Sequence, residues 1–361
     1  MNNLKKLLAL LLALVMCLAL AACGGDTAGD TTEETSDAAS TGDTAETDDT
    51  AETEETGGEE TASDGTVYEI GIIQLVQHEA LDAASQGFQD RLTELLGEGN
   101  VNFTYQNANN DTATCATIVN GFVSSDVDLI LANATAALQS AAAATDSIPI
   151  LGTSITDYAT ALDIADWTGV SGRNISGTSD LAPLDQQAEM LSELFPVDTH
   201  PNVGVLYCSA EPNSAYQYNV ISGYLTEMGY TVTAYTFSDS NDVASVTTNA
   251  CASSDVLYIP TDNTAASCTE AINNVALPAG VPIIAGEEGI CAGCGVATLS
   301  ISYYDIGALA GDMAYDILVN GADVSTMEVQ TAPEVTKKYN TSICEQLGIT
   351  VPEDYVAIET E

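Results

Sequence analysis

Positive charge is nearly missing from this chain: its 361 residues hold 6 Lys and Arg against 53 Asp and Glu, a formal net charge of −47. Lys5 and Lys6 sit at the very start, which leaves Arg91, Arg173, Lys337 and Lys338 for everything that follows. So few cations cannot neutralise a phosphate backbone, and nucleic acid is excluded as a partner. Charge attraction to an anionic lipid surface is excluded on the same ground. The acidity reads instead as a device for solubility. Aromatic residues make up only 6% of the chain, with Trp167 the single tryptophan, so the several stacking rings of a sugar site are lacking. Trp167 follows Ile164-Ala165-Asp166 in a connecting loop and is expected to pack. Only His78 and His200 are available as imidazoles, and His200 precedes Pro201 in a plain linker. No Walker loop, His-Glu-x-x-His or Gly-x-Ser-x-Gly occurs, so no cofactor and no metal are expected, and those enzyme classes have no support.

Long hydrophobic runs are also few, and the one at the start is informative. Lys5 and Lys6 precede an almost unbroken Leu, Ala, Val and Met stretch over 7–22, which ends in small residues at Cys23. That is the layout of a secretory signal, over 1–22. Leu20-Ala21-Ala22-Cys23 resembles a bacterial lipobox, which implies lipidation of Cys23 and an extracytoplasmic protein tethered to the membrane. An ordinary signal peptide with an incidental cysteine is the alternative. After it, 24–66 lacks Lys, Arg, aromatics and bulky aliphatics apart from the edge of the next segment, so it is expected to stay disordered. About 40 such residues span roughly 35 Å, enough to lift a folded part off a membrane.

From residue 67 the texture changes, and the 45% hydrophobic content can build an ordinary core. Strands are expected over 68–74, 101–106, 127–132 and 148–151, with helices over 80–96, 112–125 and 134–145 between them. The pattern restarts with helices over 184–195, 215–228, 243–250 and 264–275. Strands over 202–207, 231–237, 256–260, 282–285 and 296–301 alternate with them. A helix over 304–319 and a coil-and-strand tail follow. Alternation of this kind predicts an α/β fold with parallel sheets, and the restart predicts two lobes.

Ligands of open parallel sheets sit beyond the carboxyl ends of the strands. Those loops are polar here: Gln74 to His78, 107–111, Asn133-Ala134-Thr135, 153–157, 209–214, Thr261-Asp262-Asn263 and 286–289. Their stretches resemble the substrate-binding lipoproteins of ABC importers, in the branch of tryptophan- and tyrosine-type binders. The resemblance runs through Ile-Gly-Ile-Ile-Gln-Leu-Val-Gln-His-Glu-Ala-Leu-Asp (70–82), Tyr-Gln-Asn-Ala (105–108) and Val-Asp-Leu-Ile-Leu-Ala (127–132). It continues through Gly-Thr-Ser-Asp-Leu (177–181), Ile-Pro-Thr-Asp-Asn (259–263) and Tyr-Tyr-Asp-Ile-Gly (303–307). It covers the chain from about Tyr68 onward. Departures are the shortage of Lys and Arg and the pair Cys291-Ala-Gly-Cys294.

The resemblance implies a type I periplasmic-binding-protein fold, two Rossmann-like lobes joined by a hinge of three crossovers. On that template one lobe takes 67–177 and about 304–326, the other 178–303 and about 327–361. It also implies the function: capture of a small molecule, an amino acid with aromatic ones first, and delivery to the transmembrane subunits of an ABC permease by a monomer that is not an enzyme. A ligand-sensing receptor feeding a signalling partner is the alternative.

An amino acid brings a carboxylate and an ammonium. With no cation to hand, backbone N–H groups and hydroxyls at a helix start can hold the carboxylate. Thr135 fits, with Thr153 or Ser154 beside it, although Thr135 could equally cap its helix. Asp262 and Glu288 are candidates for the ammonium; Asp262 could also be a cap, and Glu287 and Glu288 cannot be ranked. His78 is expected on the pocket wall. Gln74, Asp157, Asn213, Ser214, Thr261 and Asn263 complete the expected ligand-binding set. Seven cysteines follow Cys23, an odd number that outside the cytoplasm means at least one free thiol or an intermolecular bond. Cys291 and Cys294 are expected to form a disulfide or loop clip; a thiol redox protein using them is the competing reading, weakened by the absence of nearby positive charge.

Overall fold

The computed structural model describes residues 65–332 and 334–358. The signal peptide, Cys23 and almost all of the acidic linker lie outside the described residues. No helix among the described residues is long and apolar enough to cross a membrane.

Continuous apolar runs become buried central strands. Strand β1 (Tyr68–Gln74) pairs in parallel with β2 (Val101–Asn107) on one side and β3 (Leu129–Asn133) on the other. Strands β4 (Ile150–Ile155) and β5 (Ile175–Ser179) extend the sheet, and the two-residue β11 (Gln330–Thr331) closes its edge in the order β11-β5-β4-β3-β1-β2. Helices α1 (Glu79–Leu96), α2 (Thr112–Ser124), α3 (Thr135–Ala144) and the short α4 (Tyr158–Leu162) connect these strands. On α1, Leu81, Phe88 and Leu92 recur at helical spacing and are buried. Each contributes roughly 2 kcal/mol by leaving water.

The second sheet runs β13-β12-β10-β9-β8-β6-β7. Its parallel core is β6 (Asn202–Cys208), β7 (Thr231–Phe237), β8 (Val256–Ile259), β9 (Ile283–Ala285) and β10 (Ala297–Ser300). Strand β12 (Thr336–Tyr339) joins β10 antiparallel and carries β13 (Val356–Ala357). The connecting helices are α5 (Leu184–Leu194), α6 (Pro212–Glu227), α7 (Val243–Cys251), α8 (Asn263–Ala266), α9 (Thr269–Ala279) and α10 (Glu288–Cys294). A long helix α11 (Tyr303–Leu318) and a short α12 (Thr341–Leu347) follow.

Helix α11 returns to the first lobe and packs on α1 with backbone against backbone. A Cβ on Gly87 would stand 2.1 Å from the Tyr304 carbonyl oxygen, and one on Gly307 would stand 2.0 Å from that of Ala84. Only glycine permits this approach. Arg91 adds a bond to Asp312 at 2.7 Å along the same seam.

Three expectations change. The crossings fall after Ser179 and after Thr331 rather than at 177 and 326, because β5 pairs with β4 to its end and β11 pairs with β5. The helix expected over 264–275 is two helices, broken at Ser267 and Cys268. Residues 288–294, expected as loop, form α10 despite two glycines, since the Glu287 side chain caps it from Gly289 N and Ile290 N.

Candidate functional site

The loops leaving the carboxyl ends of the two sheets meet across the gap between the lobes. His78 Nε2 lies 3.3 Å from Asn263 Oδ1, and Asn110 Nδ2 donates to Thr264 Oγ1 at 3.0 Å.

On the first lobe, β3 and β4 end in unusual backbone. Ala134 has φ 87° and Ser154 has φ 56°, conformations that L side chains rarely adopt. Each costs on the order of 1–3 kcal/mol and persists only where the surroundings enforce it. Ala134 occupies the cap position of α3 and supplies no side-chain hydrogen bond. Thr135 is therefore the first helical residue and not the cap, and the leading N–H groups of α3 have no capping side chain. Beside them the Ser154 hydroxyl and Asn133 Oδ1 are buried with no hydrogen-bond partner. Thr178 Oγ1 donates to the Ile306 carbonyl at 3.1 Å and lies 3.1 Å from Thr153 Oγ1. Asp157 caps α4 through Thr160 N at 2.7 Å.

Gln74 is fully occupied within the lobe. Its amide donates to Asp82 at 2.6 Å and to the Val76 carbonyl at 2.9 Å, and its oxygen accepts from Ser85. It holds the loop rather than presenting a free group. His78 lines the gap; burial pushes its pKa down, keeping the ring neutral, and Nδ1 has no partner.

The second lobe presents acid. Asp262 caps α8 through Ala265 N at 2.7 Å and ties β6 through Cys208 N at 2.6 Å, so the capping alternative is the one observed. Burial, then the charge of Glu211, raises its pKa strongly. Glu211 was not singled out from sequence. It is buried and accepts from Asn263 N, Asn263 Nδ2, Thr264 N, Thr264 Oγ1 and Asn213 Nδ2. Its role depends on partners some fifty residues away, which no local motif reveals. Asn213 also donates to the Thr261 carbonyl and to Ser214 Oγ, so this expected set forms one network with the Glu211–Asp262 pair. Thr261 Oγ1 reaches Gly286 O only at 3.5 Å. Among the described residues no Lys or Arg bonds to either acid.

At the hinge, Asp180 accepts from Thr156 Oγ1 at 3.0 Å and from the Tyr303 hydroxyl at 2.9 Å. Burial raises its pKa to about 6. Glu287 is buried as the cap of α10, with its pKa raised to about 7 by burial first. Glu288 instead pairs with Lys338 Nζ at 2.5 Å. Both line a cavity of about 740 Å³ reached from the start of α1, the hinge and α10.

The expected disulfide is absent. Cys291 and Cys294 are both free thiols, buried three residues apart on α10. Burial drives both pKa values well above the normal thiol range, so no thiolate is available for redox chemistry. Trp167 stacks on Tyr158 with ring centroids 6.0 Å apart, the packing role expected.

A family model for ABC transporter substrate binding proteins matches residues 69–361. The chain belongs to that family. A tyrosine-binding protein of Clostridioides difficile is 36% identical over 267 residues, 73% of this chain and 76% of the relative. Among solved structures, an ABC domain from Streptococcus pneumonia in complex with L-Trp is 30% identical, with a TM-score of 0.76 over 80% of this chain and 97% of that one. A ligand-free, open substrate binding protein with adhesive properties from Clostridium difficile is 35% identical, yet its TM-score is 0.63 over 82% and 100% of the two chains. This substrate-binding protein thus has the type I periplasmic-binding-protein fold, and it superposes better on the liganded relative than on the open one. Its work is with an ABC transporter, as a binder of a small-molecule substrate.

Proposed function

We propose that the protein captures an aromatic amino acid between its lobes and hands it to an ABC permease. The observation that carries this is the pairing of two complementary walls. On one lobe, the uncapped start of α3 and the unpartnered Ser154 hydroxyl are suited to a carboxylate. On the other, Glu211 and Asp262 are two buried neighbouring acids whose hydrogen bonds are made but which have no cation among their partners in the described residues, and an ammonium would offset their like charge. Asp157 and Tyr216 lie close enough to interact, which brings the β4 loop up to α6 between these walls. Thr135, Thr153 and Ser154 hold the carboxylate end; Asn213, Ser214, Thr261 and Asn263 shape the acidic wall; His78 and Asp157 flank the ligand. The aromatic preference is supported by what the two named relatives bind.

The protein acts outside the cytoplasm as a monomer anchored by lipid on Cys23, and it catalyses nothing: the Cys291 and Cys294 thiols are buried and the one cleft histidine has no acid bonded to it. The test is a thermal-shift and titration screen of the twenty amino acids, sugars and nucleosides, with light scattering to follow mass. L-Tyrosine or L-tryptophan at 100 times its dissociation constant should add about 2.7 kcal/mol of stability. Ser154→Ala should weaken binding by about 1.5–3 kcal/mol, tenfold or more. A shift with sugars or nucleosides and none with amino acids would overturn the assignment.

A further inference from the structure

Asn263 fixes where the hydrogen of the His78 ring sits. The Asn263 side-chain amide donates to Glu211 Oε2 at 2.7 Å, a carboxylate oxygen that also takes the Asn263 backbone N–H at 3.0 Å. The amide nitrogen therefore faces Glu211 and the amide oxygen faces His78. The 3.3 Å contact between His78 Nε2 and Asn263 Oδ1 is then an N–H donated from one lobe to the other. In a neutral ring with its hydrogen on Nε2, Nδ1 is a bare acceptor. The ring as a whole is half-buried, but Nδ1 is closed off from water and has no partner. A second proton would go to Nδ1, where no acceptor waits for it. The nearest acids are committed elsewhere: Asp82 accepts from Gln74 Nε2 at 2.6 Å, and Glu211 from Asn213, Asn263 and Thr264. Glu79 follows His78 at the start of α1, and Glu287, Glu288 and Lys338 stand across the adjoining cavity. Loss of water dominates over the pull of Glu211 and Asp82 and holds the ring below its ordinary pKa of 6.5.

We propose that His78 is a pH-dependent release switch: its neutral ring fastens the two lobes through Asn263, and a proton taken up at Nδ1 favours their parting. The closed form offers that proton neither water nor an acceptor, which makes a charge there costly. Separation of His78 from Asn263 gives both ring nitrogens to solvent. The open form therefore takes up the proton at the ordinary histidine value, and the closed form takes it up only at lower pH. As pH falls through 6.5 the open form gains, and a substrate that closes the lobes loses affinity by the same factor. Between pH 7.5 and pH 5.5 that factor is about tenfold. The link to substrate rests on the amino-acid reading; the link between ring charge and closure does not.

The full chain is titrated calorimetrically with L-tyrosine at pH 7.5 and 5.5, beside His78→Gln, whose amide can donate to Asn263 but cannot take up a proton. Affinity of the wild type should fall about tenfold more between the two pH values than that of the variant, since the other buried titrating groups are common to both. His78 and His200 are the only histidines in the sequence, so the variant assigns their ring signals in a proton NMR spectrum. Saturating L-tyrosine should lower the titration midpoint of the His78 signal by about one pH unit or more and leave that of His200 in place. Equal pH profiles in the two proteins, or a His78 midpoint that L-tyrosine leaves unchanged or raises, would overturn the proposal. If L-tyrosine gives no heat at either pH, the amino-acid reading fails and the switch is decided without substrate. Asn110→Cys and Thr264→Cys, joined by a short thiol crosslinker, then hold the lobes shut. The His78 midpoint should be lower in the joined protein than in the unjoined one, and equal midpoints would overturn the switch.

Discussion

Glu287 gives a pH dependence whose sign and size follow from its position. Its side chain is buried as the cap of α10, accepting from Gly289 N at 2.6 Å and Ile290 N at 2.5 Å. Burial first, with Glu79 and Glu288 adding, lifts its pKa from 4.5 to about 7. A carboxyl raised on folding favours the native state fully below its unfolded pKa. The advantage is lost as pH climbs through the folded value. At about 1.36 kcal/mol per pH unit, the loss between pH 4.5 and pH 7 is roughly 3 kcal/mol. Glu287→Gln cannot titrate. Its one amide oxygen keeps one of the two backbone N–H groups, and the lost capping costs about 1 kcal/mol. The variant should therefore be about as stable as the wild type at pH 5, where the lost cap and the titration term nearly cancel, and more stable by about 2 kcal/mol at pH 8. For a folded part of this size that gain is roughly 4 °C in Tm. Urea or thermal melts of both ligand-free proteins from pH 5 to 8 measure it. The other buried acids are common to both proteins, so the difference isolates this residue. Parallel stability curves that never cross would refute the reasoning.

Thiol labelling of the native protein at pH 8 should begin at the half-buried Cys251 and Cys268, with Cys291 and Cys294 reacting only in denaturant. Labelling of either α10 thiol in the folded state, or a mass lower by two hydrogens across the pair, would show the free buried thiols to be wrong. Cys23→Ser, or inhibition of lipoprotein processing, should move the protein from the membrane fraction to the soluble one; an unchanged membrane fraction would remove the lipid anchor.

The two sheets were legible because buried parallel strands are written as unbroken apolar runs, such as Ile70 to Ile73 and Leu129 to Ala132. Helix α10 was not, because Glu-Gly-Ile-Cys-Ala-Gly-Cys has poor intrinsic propensity and forms through its cap and burial. The polar strand ends do lie at the gap between the lobes, but their sequence does not say which side chains keep free hydrogen-bonding capacity. Gln74 looks like a ligand group in sequence, yet its hydrogen bonds are spent inside its own lobe. Ser154 has the opposite character: a small polar residue with nothing to distinguish it until its backbone angle and its lone hydroxyl are seen. Satisfaction of hydrogen bonds is a property of three-dimensional neighbours, and local pattern does not encode it.

The three crossings lie toward one side of each sheet, near β5, β10 and β11, whereas β1 and β2 stand at the other side of the first sheet. The molecule is in effect a lever with its fulcrum at that edge. The Tyr303–Asp180 bond sits near the fulcrum, where opening moves atoms least, and it can survive the swing. His78–Asn263 and Asn110–Thr264 sit at the long end of the arm and must part. Those are two neutral contacts, worth together about 1–3 kcal/mol. Hydrogen bonding across the far end therefore adds little to holding the jaw shut, beside the packing of α1 on α10 and of the β4 loop on α6, and a few kcal/mol of closing preference from a substrate suffices to outweigh it.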